Sequence, residues 1–284
     1  MSTERTEPAY GRRLAILGAG VMGETLISGL LRSGWTADQI VATDRRVERQ
    51  VELVARYGIT MAENEQAVAE ADTVILVVKP QDMADLLDEI RESLKPDTLV
   101  VSLAAGVDTE SIEARLADGV AVVRVMPNTP AQVDEGMAAI SAGAHSDQEH
   151  LDRVTEILSA TGKVVTVPER YQDAVTAISG SGPAYLFFVV EAMIEAGVHL
   201  GLPRDIATQL VVQTMLGSAK LLRETGEHPT VLRERVTSPG GTTAAAVRQL
   251  EDHKVRAAFI GAMEAARDRS RELAAAARQG RNPR

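Results

Sequence analysis

Two regimes of hydrophobic patterning divide the chain. Up to about Val167, short β-branched runs alternate with stretches whose apolar residues recur at helical spacing. The runs predict strands at Arg13–Leu17, Ile40–Thr43, Thr73–Val78, Leu99–Leu103 and Val120–Val125, with weaker ones at Gly136–Ser141 and Val164–Val167. Between them, Glu24–Arg32, Arg46–Arg56 and Met83–Leu94 carry one apolar face each and predict helices. Alternation of this kind implies an α/β fold, a Rossmann-like doubly wound parallel sheet with helices on both faces.

After Pro168 the strand signal stops, and the pattern predicts helices at Tyr171–Ser179, Pro183–Leu200, Pro203–Glu224, Pro229–Val236, Thr243–Glu251 and His253–Ala277. Pro183, Pro203 and Pro229 sit where a first helical turn accepts proline, and Gly201 and Gly226 sit where helices stop. A division into a dinucleotide-binding domain, 1–167, and an all-α domain, 168–284, follows. The stretch around Tyr185–Ile194 is apolar on nearly every side and must be buried all round. Two burials are open to it: the centre of its own domain, or an interface with a second subunit, which a small helical domain favours. The ends, Met1–Pro8 and Arg278–Arg284, read as frayed tails.

Composition narrows the chemistry. There is no cysteine, which removes disulfides, thiolate nucleophiles and Cys-ligated metal. The formal net charge of -10 and 3% aromatic content argue against a nucleic-acid partner, which needs a basic face and stacking rings. The polar start, Met1 to Gly11, has no apolar core of a secretory signal, and apolar runs such as Ala184–Val190 are too short to span a bilayer, so a cytoplasmic protein with no membrane partner is expected. The five histidines show no metal spacing, and Gly180-Ser181-Gly182 lacks the spacing of a serine-nucleophile elbow.

The glycine-rich turn carries the first positive signal. Leu17 ends a strand, Gly18-Ala19-Gly20-Val21-Met22-Gly23 follows, and a helix opens there. Gly18 permits the turn, Gly20 lets backbone approach a pyrophosphate, and Gly23 lets helix and strand pack closely. The anion sits on the helix N-terminus. Asp44, at the tip of the second strand, can accept from the adenine ribose of NADH, while Arg45 and Arg46 can clasp the 2′-phosphate of NADPH. The two signals conflict, and either arginine can also be a solvated surface charge. Val77-Val78-Lys79-Pro80, Leu103-Ala104-Ala105-Gly106 and Met126-Pro127-Asn128-Thr129-Pro130 end further strands on the edge where open sheets bind ligands. Last, Ser238-Pro239-Gly240-Gly241-Thr242-Thr243 opens an Ala-rich helix. Its amides and hydroxyls can hold a carboxylate, although taken alone the segment reads as an ordinary helix cap.

These segments together resemble the pyrroline-5-carboxylate reductases. Val236 to Glu251 looks like that family's signature, as does Ser179-Gly180-Ser181-Gly182-Pro183-Ala184-Tyr185, and the strand-end segments fall in the family's order over nearly the whole chain. The resemblance implies hydride transfer from NAD(P)H to the cyclic imine Δ1-pyrroline-5-carboxylate, giving L-proline. It also implies a dimer interlocked through the helical domains, often built into a decamer of five dimers. Carried over, Gly18, Ala19, Gly20, Val21 and Met22 cradle the pyrophosphate, and Asn64 touches the adenine ribose. Val77 to Pro80 and Leu103 to Ala105 line the cofactor. Glu169 lies near the substrate, and Gly240, Gly241, Thr242 and Thr243 bind its carboxylate, with Thr243 on the imine nitrogen. Asp44-Arg45-Arg46 departs from the small polar residues of many relatives, and the two arginines lean towards NADPH. Two other readings compete. A hydroxyacid or imine oxidoreductase of the wider group is one, but hydroxyacid enzymes place a lysine in the first helix after the domain junction, and Tyr171 to Leu200 has none. A non-catalytic dinucleotide sensor is the other, but it needs no Ser238–Thr243 segment.

Overall fold

This computed structural model describes residues 13–278. Strands β1 (Leu14–Leu17), β2 (Ile40–Thr43), β3 (Thr60–Met61), β4 (Thr73–Leu76), β5 (Leu99–Ser102), β6 (Ala121–Met126), β7 (Gly136–Ala142) and β8 (Gly162–Thr166) form one eight-stranded sheet, ordered β3-β2-β1-β4-β5-β6-β7-β8. Strand β1 pairs in parallel with both β2 and β4, so the chain order reverses direction at its carboxyl end. The central strands β1, β4 and β5 are short and buried along their whole length because both faces are covered. Leu14, Ile16, Ile75, Leu99, Val101 and Val123 point to one face, and Ala15, Leu17, Val74, Leu76, Val100 and Val122 to the other.

The first face is packed by Leu26, Ile27 and Leu30 of α1 (Val21–Arg32), Leu53 of α2 (Val47–Tyr57), and Leu151, Val154, Ile157 and Leu158 of a later helix, Gln148–Ser159. The second is packed by Ala67 and Val68 of α3 (Asn64–Glu70), by Met83, Leu86, Leu87 and Ile90 of α4 (Met83–Ile90), and by Ile112 of α5 (Thr109–Glu113). The Gln148–Ser159 helix, α6, is absent from the predicted set although its apolar residues Leu151, Val154, Ile157 and Leu158 fall at helical spacing. The same holds for β3, α3 and α5, which are too short for periodicity to reveal.

Two strands, β7 and β8, depart from the all-parallel expectation and run opposite to the other six. β7 runs antiparallel to β6, with Val123 opposite Ala142, and parallel to β8. The link between them holds only a short 3-10 turn, Thr129–Val133, and a parallel crossover needs a dozen residues or more.

The compact units do not divide at 167/168. One runs to Gly180 and takes back the chain from Ala266, and the other is Ser181–Ala265. The segment after β8 stays with the sheet because Gln172, fully buried, donates to the Ala139 carbonyl (3.2 Å) and to Ser141 Oγ (2.8 Å). Helix α7 (Gln172–Val175) then gives way to a π-helical turn, Thr176–Gly180, in place of the single helix expected at Tyr171–Ser179. The second unit comprises α8 (Gly182–His199), α9 (Arg204–Thr225), α10 (Pro229–Arg235), α11 (Thr242–Asp252) and the start of α12 (Val255–Arg278). The far end of α12 belongs to the first unit, where Ser270 Oγ donates to Asp173 Oδ1 at 2.8 Å. The expected tails lie outside the described residues except for Arg278.

Within the second unit α8 and α9 cross closely: a Cβ on Gly197 would lie 2.9 Å from that of Ala207. Yet α8 has no buried residue, with Phe187 67% and Phe188 72% exposed. Its own unit therefore does not bury it. By length and composition alone the run Glu169–His199 could also cross a membrane, which corrects the expectation that every apolar run is too short.

Candidate functional site

The turn after β1 is held from both sides. Gly18 adopts φ +101°, and a Cβ there would lie 2.6 Å from the Val77 carbonyl oxygen, so only glycine fits. The Gly18 and Ala19 amides donate to the Thr43 carbonyl at 3.1 and 2.9 Å, which ties the turn to the end of β2. A Cβ on Gly23 would meet the Gly18 carbonyl oxygen at 2.2 Å, the close helix–strand approach expected of that position. Gly20 differs: its φ is -68°, and a Cβ there would meet nothing within 4 Å. It caps α1 without a side-chain bond, so the first amides of α1 are left for an external acceptor.

Arg49 of α2 stabilises this turn from outside the motif. Its Nε donates to the Ala19 carbonyl at 3.0 Å, its Nη1 to Glu52 at 2.8 Å, and its Nη2 to Glu24 in the first turn of α1. Glu24 also accepts from Arg56 and from the Tyr57 hydroxyl, both at 2.8 Å. Burial raises its pKa, but hydrogen bonds from Arg49 and Tyr57 and the charges of Arg49 and Arg56 outweigh that, and the net shift is downward. A carboxylate beside an anion-binding helix end is thus held ionised and paired. Sequence reading missed this cluster, although Glu24 and the α2 arginines are visible as opposite charges on neighbouring elements.

A cleft of ≈ 530 Å³ opens over the carboxyl ends of β1, β2 and β4. Of the expected cofactor residues, Gly18, Gly20, Asp44, Arg45, Arg46, Asn64, Val77, Val78 and Lys79 line it. Leu17 and Ala19 are fully buried beneath it, as is Gly23, while Val21, Met22, Pro80, Leu103, Ala104 and Ala105 lie off its lining. The cleft also recruits residues the motifs did not flag, among them Thr43, Glu63, Asp82, Asp85, Leu86 and Glu89. Asp82, Asp85, Leu86 and Glu89 recur at helical spacing along the start of the helix expected at Met83–Leu94, so following that face back to the Lys79-Pro80 turn would have found them.

At the cleft wall, Asp44 is already occupied. Arg46 donates to it three times: from its amide (2.9 Å), from Nε (3.0 Å) and from Nη2 (3.1 Å). The Arg46 fork holds the Asp44 carboxyl below its usual pKa, against the opposing effect of burial. Asn64 spans the cleft floor, accepting from Thr43 Oγ1 at 2.7 Å and donating to Glu89 at 3.1 Å. On the β5 side, Leu103 and Ala104 are buried while Ala105 is exposed. Asn128 donates to Ser179 and accepts from the Met137 amide at 2.8 Å, so it stitches the sheet to the π-turn.

Glu169, expected near the substrate, has partners of its own. Its oxygens accept from the Thr109 amide (2.9 Å), the Thr109 hydroxyl (2.7 Å) and buried Arg124 (3.3 Å). In the second unit, α11 starts at Thr242 with Gly241 as its cap and no side-chain cap bond, and Gly240 takes φ +71°. The ordinary reading of Ser and Thr as the cap is therefore corrected: the cap is a glycine. Thr242 and Thr243 fall in the first turn with their amides ahead of the first helical bond, from Ala245 to Gly241 (3.2 Å).

A glycine turn held open over the sheet's switch point in the first unit, together with a helical second unit that exposes its apolar helix, defines a Rossmann-type dinucleotide-dependent oxidoreductase with a self-associating helical domain. Two family models match the chain, one in each half. Residues 13–106 match the family described as NADP oxidoreductase, coenzyme F420-dependent, and residues 169–273 match pyrroline-5-carboxylate reductase dimerisation. The pyrroline-5-carboxylate reductase of Corynebacterium melassecola is 47% identical over 92% of this chain and 98% of its own, and that of Methanosarcina acetivorans is 42% identical over the same shares. Among solved structures, the pyrroline-5-carboxylate reductase from Coxiella burnetii superposes with a TM-score of 0.87 at 36% identity, covering 92% of this chain and 98% of that one. The Plasmodium falciparum enzyme, solved with NADP bound, gives 0.84 at 27%, covering 93% and 98%. The chain belongs to the pyrroline-5-carboxylate reductase family. It is an NAD(P)H-dependent enzyme, and the dimerisation match accounts for the bare apolar face of α8 by self-association.

Proposed function

We propose that this chain reduces Δ1-pyrroline-5-carboxylate to L-proline, the last step of proline biosynthesis, with NADPH as its preferred reductant. The observation that carries the substrate assignment is the glycine-capped start of α11, whose amides and hydroxyls are left for an anion of carboxylate size. The open space at Gly20 fits a pyrophosphate on α1, while a side chain there would fill it.

When bound, the nicotinamide supplies a hydride to C5 of the C=N bond, whose π electrons move to nitrogen. The chain's part is positioning. The free amides at the start of α1, from Gly20 to Met22, hold the pyrophosphate over the turn that Gly18 and Ala19 fix through Thr43; Asn64 and the wall at Asp44–Arg46 meet the adenosine, and Val77–Pro80 and Leu103–Ala105 line the path to the nicotinamide. Gly240, Gly241, Thr242 and Ser238 hold the substrate carboxylate, and the Thr243 hydroxyl orients the ring nitrogen. A protonated iminium is already electrophilic, so orientation and electrostatics suffice without a strong acid. Glu169 acts one step back: through Thr109 it fixes the β5–α5 loop that carries Ala104 and Ala105.

The preference for NADPH is supported by the Asp44–Arg46 fork. With Oδ1 taking two hydrogen bonds from Arg46 and Oδ2 one, Asp44 is a weakened acceptor for a ribose hydroxyl, and Arg46 lines the cleft with it. The working form is a dimer through the helical unit, assembled further into five dimers, in the cytoplasm.

Cofactor oxidation measured with and without pyrroline-5-carboxylate tests the reaction. Thr243→Ala should lower both kcat and kcat/KM, by about 1–3 kcal/mol or roughly five- to a hundredfold, with cofactor affinity hardly changed. Thr243→Ser should keep most activity. Intact turnover with only lower thermal stability would make Thr243 a structural residue and sink the assignment.

A further inference from the structure

The adenosine end of the cleft is acidic for a site that takes a phosphate: Glu63, Asp82, Asp85 and Glu89 line it together with Arg45, Arg46 and Lys79. Both arginines are already paired, in different ways. Arg46 grips Asp44, whose side chain is only 9% exposed and takes three hydrogen bonds from one residue. That pair is fixed. Arg45 reaches across to Asp82 by one contact of 3.4 Å, its side chain 89% exposed and that of Asp82 35%. That pair is loose, solvent-screened and able to exchange.

We propose that Asp82 tunes cofactor preference by competing with the 2′-phosphate of NADPH for Arg45. The inference rests on the reading that this phosphate lies between Arg45 and Arg46. A phosphate entering there must displace the Asp82 carboxylate from Arg45 and then remain beside it, so Asp82 opposes the ligand twice. A 2′-hydroxyl carries no charge and meets neither cost. Asp82 therefore lowers affinity for NADPH and leaves NADH nearly untouched, and the enzyme retains use of both cofactors. The opposing wall, rather than the loop after β2 alone, sets the ratio. A neutral amide at this position preserves the local fold, because α4 takes no side-chain cap bond from Asp82.

The test is a fluorescence titration of the full-length protein with NADPH and NADH, backed by displacement with 2′,5′-ADP and 5′-AMP. Asp82→Asn should raise the ratio of NADPH to NADH affinity by about two- to fivefold at low salt, less at high salt. It should tighten 2′,5′-ADP while leaving 5′-AMP in place. Asp85→Asn, which removes the same charge from the same wall but outside the ion pair, should change the ratio less. In an Arg45→Ala background the Asp82→Asn gain should vanish. An unchanged ratio in Asp82→Asn, an equal gain in Asp85→Asn, or a gain that survives Arg45→Ala overturns the proposal. Failure of the underlying reading shows separately: replacing both arginines with alanine would then weaken NADPH and NADH equally.

Discussion

The three motif glycines separate binding from folding, and Gly20→Val exploits this. A Cβ at Gly20 meets no protein atom within 4 Å, and φ -68° is ordinary for any L-residue. Stability should therefore change little, by about 0.5 kcal/mol or less, or even rise slightly as the unfolded chain loses freedom. The valine instead fills the space above the first amides of α1. If it denies the pyrophosphate two charge-assisted contacts, each worth about 1.5–3 kcal/mol, the loss is roughly 3–6 kcal/mol, a hundredfold to ten-thousandfold in Kd. Gly23→Ala is the contrast, since its Cβ would sit 2.2 Å from the Gly18 carbonyl oxygen and must force helix and strand apart. Fluorescence titration with NADPH beside a thermal melt reads both quantities. Gly20→Val should melt like the wild type and not bind, and Gly23→Ala should melt earlier. Normal NADPH affinity in a folded Gly20→Val protein would refute the assignment of the turn.

Arg49→Ala, which frees the Ala19 carbonyl and unpairs Glu24, should raise KM for NADPH and NADH alike with kcat little changed, and a change in NADPH alone would count against its place behind the pyrophosphate turn. Replacing Arg45 and Arg46 with alanine should weaken NADPH much more than NADH, and equal loss would mark both as solvated charges. Because Glu24 has a depressed pKa when folded, its stabilisation is present above the ordinary carboxylate pKa and is lost as pH falls through the folded value; Glu24→Gln should flatten that part of the acid melting profile, and an unchanged profile would exclude it. Phe187→Glu combined with Phe188→Glu should yield monomers by light scattering, and a wild type that is itself monomeric at micromolar concentration would refute the interface.

The sequence by itself determined the sheet, the glycine turn and the helical second half. Each is written locally: continuous apolar runs for strands buried on both faces, a Gly-x-Gly-x-x-Gly spacing for a turn, prolines and glycines at helix ends. It also marked the Asp44–Arg46 segment and the Ser238–Thr243 segment as candidates. It could not tell an acceptor from a masked carboxylate at Asp44, nor a hydroxyl cap from a glycine cap at α11, because both depend on angles and partners a few residues away. Glu169 shows the same limit over a longer range, since its partners Thr109 and Arg124 arrive from two other elements. The acidic wall of the cleft, the Arg49 tie to Ala19, the reversal of β7 and the return of α12 to the first unit were decided only by tertiary structure. All of them set the partners of charges or backbone groups distant in sequence, and hydrogen bonds and ion pairs, unlike hydrophobic periodicity, leave no repeating signal along the chain.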